Sequence, residues 1–234
     1  MRMDGIVVAG IAAVAVVTGG FVLGNQIASI KTADRTVQVK GAAELPVAAD
    51  LATWALNVSV SGDDLGATQQ QLSGDLAKIR TFLAKYGVKP DEIEMGSLSV
   101  SDARANQYNN NQGGPRFVVT GGVTVRTANL EGIQKAKNGL DELLGQGVVL
   151  TNSYGPNFAF TKLNEAKLDL VSRAIGEAYK AAEQFAKDSG ASVGGIRRAR
   201  QGSVEVLGRD SFIGESEQVN KVLRVVTTVD YDLY

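Results

Sequence analysis

Between Ala52 and Ser61 apolar and polar positions change places at almost every step: Ala52, Trp54, Leu56, Val58 and Val60 stand against Thr53, Ala55, Asn57, Ser59 and Ser61. A period of two sends successive side chains to opposite faces, so this stretch predicts a strand with one buried and one wet face. The pattern returns at 117–126, where Phe117, Val119, Val123 and Val125 alternate with Val118, Thr120, Thr124 and Arg126. It closes the chain at 221–233, with Leu223, Val225, Val229, Tyr231 and Leu233 against Arg224, Thr228, Asp230 and Asp232. Shorter strands are expected at 36–41, 97–102, 148–160 and 195–206. Pro46, inside "AAELPVAAD", predicts a hairpin-like turn rather than a sheet interior, because proline has no N–H for a ladder.

Elsewhere the spacing is helical. Leu65, Leu72, Leu76, Ile79, Leu83 and Tyr86 lie on one face of a helix that Asp63 or Asp64 can cap and that Gly87 and Pro90 stop. A second helix runs from the cap Asn129 to about Leu144. The longest covers about Lys162 to Ser189, with Ala166, Leu170, Ala174, Ala178, Ala181 and Phe185 on one side and Gly190 as its stop. The order β-β-α-β-β-α-β-α-β-β predicts an α+β fold, a mainly antiparallel sheet covered on one face by helices. It hints at a duplicated β-α-β-β unit, but no repeat is visible at the level of sequence.

The first thirty residues follow neither period. No charge occurs between Asp4 and Lys31, and Ile6–Leu23, as a helix rising ~1.5 Å per residue, would span roughly 27 Å. That nearly crosses a hydrocarbon core of about 30 Å. The run is longer than the apolar core of a leader, and its one tolerable cleavage site is Val22-Leu23-Gly24, which favours a retained single transmembrane helix over a removed signal. Within it Gly20 and Gly24 form a GxxxG pair suited to helix packing. Residues 1–30 are read as anchor and linker, residues 31–234 as one domain. Arg2 on one flank and Lys31, Arg35 and Lys40 on the other leave orientation undecided by charge.

Composition narrows the chemistry. The 234 residues carry a net charge of −1, which provides no general attraction for nucleic acid, so no nucleic-acid partner is expected. Cysteine and histidine are both absent, which removes disulfides, thiolate nucleophiles, His-based triads and the usual zinc sites. Only carboxylates, lysines, tyrosines and hydroxyls are left for acid–base work. The reading is therefore of a protein that is not an enzyme, with no catalytic residue, no metal and no cofactor.

Three segments carry a family resemblance: "VKGAAELPVAADLATWALNVSV" (39–60), "AYKAAEQFAKDSGASVGGIRRARQGSVEV" (178–206) and "KVLRVVTTVDYDLY" (221–234). The chain resembles the SIMPL domain family over essentially residues 36–234. The resemblance implies an α+β bacterial envelope protein, usually exported, some relatives of which assemble into hollow ring-like or barrel-like homo-oligomers and are linked to oxidative or envelope stress. It supplies no catalytic residues. Taken with the apolar run, it predicts a single-pass protein of the bacterial inner membrane, held through residues 5–24, with its domain in the periplasm and further copies of itself as partners.

Among candidate site residues, Arg197, Arg198 and Arg200 in "GGIRRARQG" form the densest basic cluster. On a strand, Arg198 and Arg200 share a face that can grip an anionic ligand, a lipid head group or an acidic partner; a solvated strand face is the simpler explanation. Asp63 with Asp64 is better explained by helix capping than by chemistry. Asp230 and Asp232 share a strand face but show no third or fourth ligand for a hard cation. Asn109–Asn111 read as a loop, Trp54 as core, and the sequon at Asn57 falls inside a strand. The leading expectation is a non-catalytic, membrane-anchored scaffold that self-assembles into a homo-oligomeric ring or cage. The alternative is a binding module for an anionic small molecule, lipid head group or acidic protein.

Overall fold

The computed structural model describes residues 35–105, 114–151 and 154–234. The predicted membrane helix with Gly20 and Gly24, and the asparagine run 109–111, lie outside the described residues. Among those described, no helix is long and apolar enough to cross a membrane.

The architecture is mixed α/β with antiparallel pairing, but the strands divide between two sheets. Strands β1 (Thr36–Ala48), β8 (Val193–Gln201), β9 (Glu205–Gly208) and β10 (Asn220–Leu233) form one, in the order β1-β10-β8 with β9 also on β10. The other has the order β3-β5-β2-β6, built from β2 (Leu51–Gly62), β3 (Ile93–Met95), β5 (Phe117–Thr127) and β6 (Leu150–Thr151). Onto it β4 (Ser99–Asp102) adds beside β5 and β7 (Asn157–Ala159) beside β2. The helices are α1 (Leu65–Lys85), α2 (Leu130–Asn138), α3 (Asp141–Gly145) and α4 (Leu163–Ser189). The described residues separate into two compact units, each drawn from distant segments: one takes 35–44, Lys167–Glu205 and Arg224–Tyr234, the other those of Leu45–Ala166 and Val206–Leu223.

In the unit holding Leu45–Ala166, β2 and β5 pair antiparallel over eleven residues, from Ala52 opposite Thr127 to Gly62 opposite Phe117. The dry face of β2 is the one the alternation predicts: Ala52, Trp54, Leu56, Val58 and Val60 are all buried. They meet Leu72, Leu76, Ile79, Phe82 and Leu83 of α1, with Val119, Val123 and Val125 of β5 and Ile133 of α2. Asp64 caps α1 by accepting from the Ala67 amide at 2.7 Å, and Gly87, at φ 81°, ends it. The predicted helix 129–144 breaks at Gly139 into α2 and α3. The expected strand 148–160 is two short strands.

In the other unit α4 lies against the sheet by way of small side chains. Leu170, Ala174, Ala178, Ala182 and Ala186 are buried at four-residue spacing, and a Cβ on Gly41 of β1 would collide with the Ala174 carbonyl and the Ala178 amide nitrogen. The stripe is that of the expected face as far as Ala178, and Ala181 also packs against this core, partly buried; Ala182 and Ala186 join it, whereas the expected Phe185 is exposed. The close approach of the Gly41 backbone explains the small side chains at Ala174 and Ala178. A second difference is at Pro46, where β1 continues to Ala48 without turning. Its place at the end of the sheet order allows this, since an edge strand has a side that pairs with nothing. Strands β1 and β2 enter different sheets and do not form a hairpin.

Candidate functional site

All three predicted arginines lie on β8, the end strand of its sheet opposite β1. Ladder pairs Arg200 opposite Thr228, Ala199 opposite Val229 and Arg198 opposite Asp230 put Arg198 and Arg200 on the face away from α4, because Val229 belongs to the core that α4 covers. Arg197 lies at a bulge, where the register steps from Asp230–Arg198 to Tyr231–Ile196. The structure thus brings Arg198 and Arg200 together and sets Arg197 apart.

From Gly195 to Gln201 every residue of β8 is exposed, on both faces. Ile196 is among them, at 54%. The uncovered sheet face is a mosaic of opposite charges. Asp230 accepts a 2.8 Å hydrogen bond from the Gln38 side chain, and Arg224 Nε lies 3.7 Å from a Glu44 carboxylate oxygen. Arg198 and Arg200 form no ion pair among the described residues, so their guanidinium groups retain the planar donor fork that matches carboxylate or phosphate.

The acidic candidates resolve differently. Asp64 is the α1 cap, and Asp63 accepts from the Arg116 amide at 3.0 Å, which explains both by local backbone satisfaction. Asp230 is half-buried and hydrogen-bonded to Gln38. Among the described residues no cluster of three or more metal-ligating side chains occurs.

Two polar arrangements escaped sequence reasoning. Glu142 of α3 takes Lys85 Nζ at 2.7 and 2.9 Å and the Tyr86 hydroxyl at 2.9 Å, tying α3 to the end of α1. Hydrogen bonding from Lys85, then from Tyr86, holds the Glu142 carboxyl below the ordinary carboxylate range, and the same bond raises the Tyr86 hydroxyl. The second is Lys221, whose fully buried side chain donates to the Glu215 carbonyl at 2.6 Å and pairs with the Glu215 carboxylate. Neither is signalled locally: the first joins residues 57 apart, and the second hides a lysine on what reads as an ordinary alternating strand.

The family model described as SIMPL, protein of unknown function (DUF541), matches residues 37–221. No curated protein matches the chain. Similar solved structures include an uncharacterized conserved protein from Listeria innocua, 14% identical, covering 78% of this chain and 91% of that one with a TM-score of 0.22. A hydrolase from Listeria innocua is 15% identical over 82% of this chain and 92% of its own, with a TM-score of 0.23.

Proposed function

Starting from the fact that the chain belongs to the SIMPL family, of unknown function, we propose that it is a non-catalytic scaffold of the bacterial envelope that self-assembles into a homo-oligomeric ring or cage. In this reading residues 5–24 hold it in the inner membrane as a single-pass anchor, the body stands in the periplasm, and the assembly serves under envelope or oxidative stress.

The observation that carries the proposal is the β8 edge. Seven consecutive residues exposed on both faces, at the end of a sheet, form an open row of backbone donors and acceptors that another chain can pair with. Full-length protein in mild detergent is expected to give a particle of several protomers by light scattering. Changing Arg198 and Arg200 together to Glu, beside Asp230, should lower its mass. A particle of one protomer at every concentration contradicts the proposal.

A second reading rests on the shared face of Arg198 and Arg200, which suits an anionic small molecule, lipid head group or acidic protein. Here pyrophosphate, used as probe, would raise the melting temperature, and Arg198→Ala with Arg200→Ala would abolish the rise without changing the particle mass.

A further inference from the structure

The loop between β9 and β10 presents an aromatic side chain in an unusual way. Phe212 is 100% exposed and Ile213 beside it 48%, yet the backbone under them is fixed. The buried Gln218 side chain accepts from the Asp210 amide at 2.9 Å and donates to the carbonyls of Asp210 and Ile213, both at 2.7 Å, so one amide clamps both ends of the turn 210–213. A Cβ on Gly208 would collide with that amide nitrogen. The buried Lys221 fixes the following turn through Glu215. A loop ordered this thoroughly loses little entropy when its tip is covered, which is the design of a binding anchor.

The same unit holds a matching recess. Arg80, Thr81 and Ala84 of α1 with Val88, Pro90 and Ile93 line an open recess of about 390 Å³, bounded mainly by apolar surface. A 150 Å³ apolar cavity already accepts benzene, so this one has room for a phenyl ring and part of Ile213. Charge agrees as well: Asp210 and Glu217, flanking the Phe212 tip, form no ion pair among the described residues, and neither does Arg80 at the recess, whereas Glu215 is already committed to Lys221.

We infer that Phe212 of one copy seats in the Arg80–Ile93 recess of the next, with Arg80 facing the acidic flanks of the loop. The two surfaces are different patches of one chain, so the contact is head-to-tail, the type that closes into a ring or runs on as a filament. This rests on the self-assembly reading and supplies it with an interface separate from the β8 edge.

The test uses full-length protein in mild detergent and two variants at exposed positions, Phe212→Asp, which removes the knob, and Ala84→Arg, which fills the recess. Each alone should raise the apparent dissociation constant of assembly at least about 30-fold, the effect of a hot-spot anchor, with an unchanged far-UV circular dichroism spectrum showing that the fold is kept. Mixed, they should form a one-to-one pair by native mass spectrometry, because each retains the half the other lacks. An oligomeric wild type whose mass is unmoved by Phe212→Asp overturns this pairing and leaves self-assembly standing. Variants that dissociate singly but do not pair when mixed overturn it too. A wild type that is monomeric throughout overturns the self-assembly reading itself.

Discussion

The two units bury their interiors by opposite means. Around β2 the core is made of large side chains, with Trp54, Leu56, Leu72, Ile79 and Leu83 each no more than 1% exposed. Under α4 the large side chains, Val39, Val229 and Tyr231, come from the sheet, and the helix adds small ones, with Gly41 against the backbone of Ala174 and Ala178 and an alanine at each step beyond. In the first case stability comes from apolar area removed from water; in the second, close backbone approach at Gly41 adds dispersion to that term and leaves no room for growth there. One interior should therefore fail when side chains are made smaller, the other when they are made larger.

The largest effect is expected at Trp54→Ala, about 3–5 kcal/mol by denaturant unfolding, through cavity formation and loss of the 3.0 Å bond from its indole N–H to the Tyr154 carbonyl. Next comes Gly41→Ala, a single added methyl, at about 3 kcal/mol, the upper end of overpacking, because what it meets is backbone and cannot swing aside. If that change were neutral, the contrast between the interiors would be broken. Asp64→Ala should cost about 1 kcal/mol as a lost helix cap. Thr227→Val should go the other way, stabilising by up to about 1 kcal/mol, because Thr227 Oγ1 is buried under α4 with no hydrogen-bond partner among the described residues.

The smallest effect is one of pH. Asp102, beside Arg116, and Glu142, beside Lys85, have folded-state pKa values below their ordinary ones. Their contribution is complete above the unfolded values of about 3.9 and 4.3 and is lost as pH falls through the lower folded values. Melting curves of Glu142→Gln should accordingly differ from wild type at neutral pH and converge with it in acid.

Where the sequence was legible and where it was not follows the same divide. Alternation marked the dry face of β2 residue by residue, and Asp64, Leu72, Ile79, Leu83 and Gly87 marked α1 from cap to stop, because large apolar side chains and caps are local signals. At the end of α4 only Phe185 was misplaced, and Ala182 and Ala186 were not expected: alanine scores as mildly apolar on any face, and the close approach of Gly41 to Ala174 and Ala178, which sets the face, comes from more than a hundred residues earlier. Pro46 read as a turn because nothing nearby reveals that β1 is an edge strand. For the site, the shared face of Arg198 and Arg200 was legible from strand period, whereas the bulge at Arg197 depends on its pairing with β10. The clamped Phe212 turn was invisible, since it is made by Gln218 and Lys221, two polar residues that composition assigns to the surface.

The central claim, the proposed self-assembly, is tested most directly by electron microscopy of the full-length protein in mild detergent. Self-assembly should give closed particles of several copies with a constant number of subunits. Isolated single-chain particles, at concentrations where the protein remains folded, would contradict it.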